Sequence, residues 1–409
     1  MSKEYKDLLV SLDIGTSKIV AIVAELKGKG CYEIIGLGQS ESKGLRKGTV
    51  VNIEATVQSI QRALEEAELI ANCEISNVFT GIAGSHVRSF NSSGMVAVKE
   101  KEITHEDVSR VIETAKAINI PADQHVLHIL AQEFIIDNQE YVREPIGMSG
   151  IRLEVKVHIV TGAVSATQNI IKCVRRCGIE VNDLILQPLA SSLAVLSEDE
   201  RNLGVVLVDI GGGTTDVAIF GEGAIRHTAV IPIAGDQITN DIAIALGISR
   251  SIAENIKVSY GTAKQALVDP DEIIKVSVGM RSSSMLSRQA LAAVIEPRIE
   301  ELFLLVQQVI YESGYKELLS SGIVITGGAA MMPGMVDLAE DVFLKPVRIG
   351  VPEYIGHLDD VVRNPRYSTA IGLLVEGSSK IVNGYRFRTQ SSFVGEVFLR
   401  MRNWFLNNF

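Results

Sequence analysis

The sequence predicts an α/β protein built as two similar halves around a cleft, and three observations lead there. The first is a duplicated hairpin. Leu8-Leu-Val-Ser-Leu-Asp13-Ile-Gly15-Thr16-Ser17-Lys18-Ile-Val-Ala-Ile-Val23 returns as Val205-Val-Leu-Val-Asp209-Ile-Gly211-Gly212-Gly213-Thr214-Thr215-Asp216-Val-Ala-Ile-Phe220. The second is the alternation of such β-branched runs with helix-period segments, among them Val57, Ile60, Ala63, Leu64 and Ala67 in a helix expected around Ile53–Ala71. The third is length, since 409 residues exceed one ordinary domain.

In each copy of the hairpin an apolar run reaches an Asp, turns through Gly with Thr or Ser, and continues as a second apolar run. This pattern gives a tip rich in backbone N–H and hydroxyl donors. Two tips facing each other can grip a nucleotide's phosphates from both sides, with Asp13 and Asp209 organising a hydrated Mg²⁺. Asp cannot donate to a phosphate, so its value beside one lies in the metal, while Gly lets the backbone approach closely.

Hydrophobic residues make up 46% and charged residues 22% of the chain, which supports real cores and excludes global disorder. The net charge of −10 argues against general nucleic-acid binding. No apolar run approaches the roughly 18–20 residues of a membrane span. The N-terminal Met1–Asp7 leads straight into the first strand rather than a signal-peptide core, so a cytosolic body is expected. Cys31, Cys73, Cys173 and Cys177 fit reduced thiols. Cys173 and Cys177 stand one helical turn apart without a second ligand pair, and His125 and His128 lie in an apolar stretch; both pairs read as packing.

Strands are expected at 8–23 and 32–38. Between about Gly84 and Thr161 the texture changes to short strands (95–98, 134–137, 152–159) around a helix that Thr104 caps, with Asp107 at its third position. A helix at 166–177 and a strand at 181–186 lead into Gln187-Pro188. The second hairpin opens the second half, and a mostly helical region at 227–307 interrupts it, with a strand-like segment at 272–278. Gly322–Gly328 reads as a buried strand breaking at a double glycine, and 367–375 as a small-residue helix.

The order of these elements (Asp-Gly turn, Gln187-Pro188, second Asp-Gly turn, Gly235-Asp236, Glu254-x-x-Lys257, Gly327-Gly328, Ala370-x-Gly372) resembles that of the actin-like ATPase superfamily across essentially the whole chain. The resemblance implies a duplicated, ribonuclease H-like fold that binds ATP and Mg²⁺. It implies that Gly15, Thr16, Ser17 and Lys18 meet phosphates from one lip, and Gly211, Gly212, Gly213, Thr214 and Thr215 from the other. Asp13 and Asp209 would hold the metal through water. Gly235 and Asp236 would border the site, Glu254 and Lys257 would reach the ribose, and Gly327, Gly328 and Met331 would flank the adenine. On spacing alone, Glu254 and Lys257 are equally a surface ion pair. Gln187 stands where actin carries its water-positioning glutamine. An amide aligns water but is a poor base, so any hydrolysis is expected to be weak.

More specific segments, Gly81-Ile-Ala-Gly-Ser-His86-Val-Arg88, Pro145–Glu154, His158-Ile-Val-Thr161, Ile295-Glu-Pro-Arg298 and Val347-Arg348-Ile-Gly, resemble the FtsA family of bacterial cell-division proteins. That resemblance implies subdomain 1C at 84–161 in place of the usual 1B. The first half (1A) would then comprise 1–83, 162–196 and 356–380. The second half (2A) would comprise 197–226 and 308–355, with subdomain 2B at 227–307. It also implies self-assembly into filaments, recruitment of later division proteins through 1C, and binding of the FtsZ C-terminal tail through 2B, where Arg281, Arg288 and Arg298 lie.

The tail differs from the rest. Glu376–Ser392 is polar, with 381–392 expected as a linker, and 393–409 regains periodicity. At 100° per residue Phe393, Val397, Phe398, Met401, Trp404, Phe405 and Phe409 share one arc, flanked by Arg400 and Arg402. Residues 386–409 carry four arginines against one glutamate. Each arginine near an anionic surface adds on the order of 1 kcal/mol, and a tryptophan suits the headgroup boundary. The family's amphipathic membrane-targeting helix matches this segment. It places the protein peripherally on the cytoplasmic face of the bacterial inner membrane, at the division site. Two other readings share the fold: a cytosolic actin-like scaffold of a pilus or secretion machine, and a small-molecule kinase. The tail and the Ser85–Arg88 segment favour the division protein.

Overall fold

One strand order serves both halves, and it follows from the repeated hairpin. The computed structural model describes residues 8–28, 30–277 and 283–382. In the first half, Leu8–Ile14, Lys18–Gly28 and Cys31–Glu41 form an antiparallel meander; Asn77–Ile82 and then Glu180–Leu186 join in parallel beyond the first strand. In the second half, Val205–Ile210, Thr215–Gly221 and Ala224–Ile231 repeat the meander, and Ile323–Thr326 and Val347–Ile349 take the parallel places. Asp13 and Asp209 each occupy the penultimate position of their strand.

Strand Val205–Ile210 is buried on both faces, as a mostly apolar strand with parallel and antiparallel neighbours should be. Val205 and Leu207 join the core of the first half; Val206, Val208 and Ile210 join that of the second. Helix Gln187–Val195 packs against strands of both sheets, and helix Ser368–Val382 packs against it and against the first sheet. Gly372 permits their approach: a Cβ there would lie 1.7 Å from the Ala190 carbonyl oxygen.

The inserted sheet in 84–161 is antiparallel, in the order Val87–Ala97, Arg152–Ala163, Gln124–Ile136, Gln139–Val142, and helix His105–Lys116 covers it. Thr104 and Asp107 form the expected capping box. The strands run longer than alternation predicts, because their polar residues have partners across a subdomain boundary. Ser89 Oγ donates to the Thr228 carbonyl at 2.9 Å, and Gln132 Nε2 donates to that of Ile225, also at 2.9 Å. His128 Nε2 accepts from the Leu186 N–H at 2.9 Å, a core histidine satisfied by backbone. Cys173 and Cys177 are free thiols, and burial pushes both pKa values up.

Two expectations about boundaries shift. Residues 227–231 belong to strand Ala224–Ile231 of the second-half sheet, so the second insertion begins later. It holds helices Gly235–Leu246 and Arg250–Tyr260 and the hairpin Ile273–Ser277/Ser283–Ser287, and helix Arg288–Ser313 runs out of it. The polar stretch after Val375 continues helix Ser368–Val382, because Lys380 is buried and donates to Asp183 at 2.6 Å and pairs with Glu376 at 2.8 Å. Arg281, residues 383–392 of the expected linker and the whole amphipathic segment 393–409 lie outside the described residues. Among those described, no helix is long and apolar enough to cross a membrane.

Candidate functional site

Both hairpin tips close by the same turn. Gly15 N–H donates to the Lys18 carbonyl and Gly211 N–H to the Thr214 carbonyl, each at 3.0 Å. The tips meet across the cleft through complementary surfaces. A Cβ on Gly212 would lie 2.8 Å from Ser17 Cβ, and one on Gly213 would lie 2.7 Å from Thr16 Oγ1. The start of helix Gly235–Leu246 is tied to the second tip: Gly235 N–H donates to the Gly211 carbonyl at 3.1 Å and Asp236 N–H to that of Gly212 at 2.7 Å. Between these parts lies a cavity of about 340 Å³.

Among the described residues that line it, three buried carboxylates stand out: Asp13, Asp209 and Asp216. Burial raises the pKa of Asp13 to about 6; Lys18 opposes this and the charge of Asp209 adds to it. Burial also raises Asp209, against hydrogen bonds from Ser191 and Thr369. Asp216 is raised well above the usual range by burial and then by Asp209. Among the described residues its buried Oδ1 has no hydrogen-bond partner. A polar cavity with three mutually opposed carboxyls and one unpartnered oxygen fits a hydrated divalent cation, which would neutralise them. Among the described residues no three His, Cys, Asp or Glu groups converge as direct ligands, so contact through water suits this donor set better than a dehydrated ion.

The cavity lining gathers Gly15, Thr16, Ser17, Lys18, Gln187, Gly211, Gly212, Gly213, Thr214, Gly235, Asp236, Glu254, Lys257, Gly327, Gly328 and Met331. Thr215 is absent from it; its hydroxyl donates to the Ile233 carbonyl at 2.8 Å. Gln187 opens helix Gln187–Val195, and its Nε2 donates to Asp13 Oδ1 at 3.2 Å, which leaves the amide oxygen to accept. Lys18 reaches the Arg366 carbonyl and sits 4.6 Å from the Tyr367 ring centroid; burial lowers its pKa to about 8. Lys257 Nζ donates to the Gly235 carbonyl (3.0 Å), Thr239 Oγ1 (2.8 Å) and Glu254 Oε2 (2.8 Å). Ile238, Val258, Ala329, Met332 and Pro333 give the cavity an apolar wall beside Met331.

Two arginines expected to face an acidic peptide are committed within the chain. Arg288 binds both oxygens of Glu272 at 3.0 and 2.9 Å, and also the Tyr260 carbonyl and the Thr262 hydroxyl. Arg298 pairs with Asp241 and Glu301.

Comparison with known proteins decides the family. The chain is 57% identical to the cell division protein FtsA of Pseudomonas aeruginosa over 409 residues, covering 98% of each chain. It is 45% identical to that of Escherichia coli K12 over 415 residues, covering 99% of each. The chain belongs to the FtsA family. The family model "Cell division protein FtsA" matches residues 206–372, and "SHS2 domain inserted in FTSA" matches 84–161, the four-stranded insertion. Solved structures support the actin-like fold. A PilM-PilN type IV pilus biogenesis complex aligns with TM-score 0.66 at 17% identity, covering 90% of this chain and 98% of that one. MreB5 of Spiroplasma citri bound to AMPPNP aligns with TM-score 0.53 at 15% identity, covering 91% and 95%. This FtsA-family chain is therefore an actin-like cell-division protein.

Sequence reasoning missed Asp216. The available signal was strand alternation: Asp216 faces Asp209 in the register of the second hairpin, an acid inside an otherwise apolar, fully buried strand. It also missed Thr239, whose hydroxyl joins Glu254 to Lys257; nothing in the spacing of Thr239 marks it.

Proposed function

We propose that this FtsA-family protein binds Mg²⁺-ATP in the cleft, polymerises on the cytoplasmic face of the inner membrane, anchors FtsZ filaments there, and recruits later division proteins through residues 84–161. The observation that carries the nucleotide part is the pair of facing tips around three buried carboxylates, one with an unpartnered oxygen. Asp13 and Asp209, with Asp216 behind them, would hold Mg²⁺ through water; the ion supplies neutralising charge to carboxylates and phosphates alike. Thr16, Ser17, Thr214 and the glycine N–H groups would bind phosphate oxygens from both halves. Gln187 would orient a water with its amide oxygen, and because an amide removes a proton poorly, the nucleotide serves chiefly as an assembly switch.

The membrane part rests on 393–409. Burying one Phe or Leu fully is worth about 1.5–3 kcal/mol, and partial insertion of several such side chains, helped by Arg400 and Arg402, suffices for peripheral attachment. Flotation with anionic liposomes tests it: the full chain should float and a chain ending at Gln390 should stay at the bottom. Equal flotation of both would remove the tail from the account. The FtsZ contact is a proposal from family membership, tested by pull-down with the FtsZ tail peptide.

A further inference from the structure

Three cationic side chains line the cavity, and two of them are already occupied. Lys257 spends its three protons on Gly235, Thr239 and Glu254. Lys18 is turned to the Arg366 carbonyl and the face of Tyr367. The third, Arg366, is exposed, and its guanidinium has no hydrogen-bond or ion-pair partner among the described residues. Its backbone, by contrast, is held tightly. Arg366 N–H donates to Asn364 Oδ1 at 3.1 Å, its carbonyl accepts from Lys18, and Ser368 Oγ donates to the Pro365 carbonyl at 2.9 Å. A fixed stem with an uncommitted guanidinium is preorganised for a ligand.

The position matters as much as the charge. Arg366 precedes helix Ser368–Val382, which packs on the first-half strands, yet its Cβ lies 4.0 Å from where Gly328 of the second half would carry a Cβ. Lys18 feels its charge, which adds to the burial that lowers the Lys18 pKa. A guanidinium offers paired donors matched to phosphate oxygens.

We propose that Arg366 is a phosphate-binding residue of this cleft, reaching the nucleotide's phosphates from the first half while the Gly327–Met331 segment holds the ligand from the second. The assignment rests on the nucleotide reading above and adds a residue to it.

The test compares Mg²⁺-ATP, Mg²⁺-ADP and adenosine binding to the full-length protein and its Arg366→Gln and Arg366→Lys variants, by calorimetry or competition. Arg366→Gln should weaken ATP and ADP by about tenfold or more, the scale of one charge-assisted hydrogen bond, and leave adenosine unchanged. Arg366→Lys should recover most of the loss, and the exposed site should leave the melting temperature unmoved. An equal loss for adenosine would overturn the assignment, because Arg366 would then be stacking on the base. Unchanged ATP affinity would overturn it too while leaving the nucleotide reading intact. No nucleotide binding by the unaltered chain would sink both.

Discussion

The two hairpin tips share a backbone and differ in side chains, and that difference shows how a duplicated element divides its work. Both turn through the same N–H to carbonyl bond, from Gly15 to Lys18 and from Gly211 to Thr214. The first tip carries Thr16 and Ser17; the second carries Gly212 and Gly213 in the space those side chains need. The partners of the acids diverge likewise. Asp13 receives the Gln187 amide, whereas Asp209 receives the Ser191 and Thr369 hydroxyls and stands opposite Asp216. A side-chain amide thus meets the acid of the first half, and the heavier negative charge lies in the second.

The sharpest way to break this complementarity is to give the second tip a side chain. Gly213→Val would drive two methyl groups into Thr16 and hold the tips apart. Mg²⁺-ATP affinity should fall by about a hundredfold or more with the fold intact by circular dichroism. Binding at the unaltered level would mean that the tips need not meet.

Next in size are the aspartates. Asp209→Ala should cost about 10–100-fold in Mg²⁺-ATP affinity, the range for groups that act on a metal through its hydration shell, and little for ATP in chelator. Asp13→Ala should cost a similar amount if both halves grip one ion. A loss confined to Asp209→Ala would assign the metal to the second half alone.

The smallest effect is that of pH. Asp13 has a folded pKa of about 6 against an ordinary 3.8. Its protonation therefore favours the metal-free fold fully below pH 3.8, and this contribution is lost as pH rises through about 6. A cation reverses the preference. Mg²⁺-ATP affinity should drop about fourfold between pH 7.5 and 5.5 from this one group. The Asp13→Asn variant should flatten that part of the profile; an unchanged slope would show that Asp13 does not govern it.

Much of the cleft was legible in the chain alone. Asp13, Asp209 and the glycine turns announce themselves because a buried β-run ending in Asp-x-Gly is written twice in the chain. Long-range partners were not legible. Ser89, Asn91 and Gln132 look unlike strand residues until the second-half strand supplies carbonyls to them. The 376–382 stretch looks like a linker until Asp183, nearly two hundred residues away, buries Lys380. Arg288 and Arg298 read as free basic groups until Glu272 and Asp241 neutralise them.

The sequence by itself determined the fold class, the two-half duplication, the family and the backbone of each glycine turn, because apolar periodicity and tight turns are set by near neighbours in the chain. Only the tertiary structure decided which tip fills the other's gap, that Asp216 joins Asp13 and Asp209, and that among the described residues Lys18 and Lys257 have partners while the Arg366 guanidinium has none. Those outcomes depend on burial and on charges brought together from distant segments. A carboxyl or ammonium group changes its behaviour with the water and counter-charge around it, and no local pattern records either.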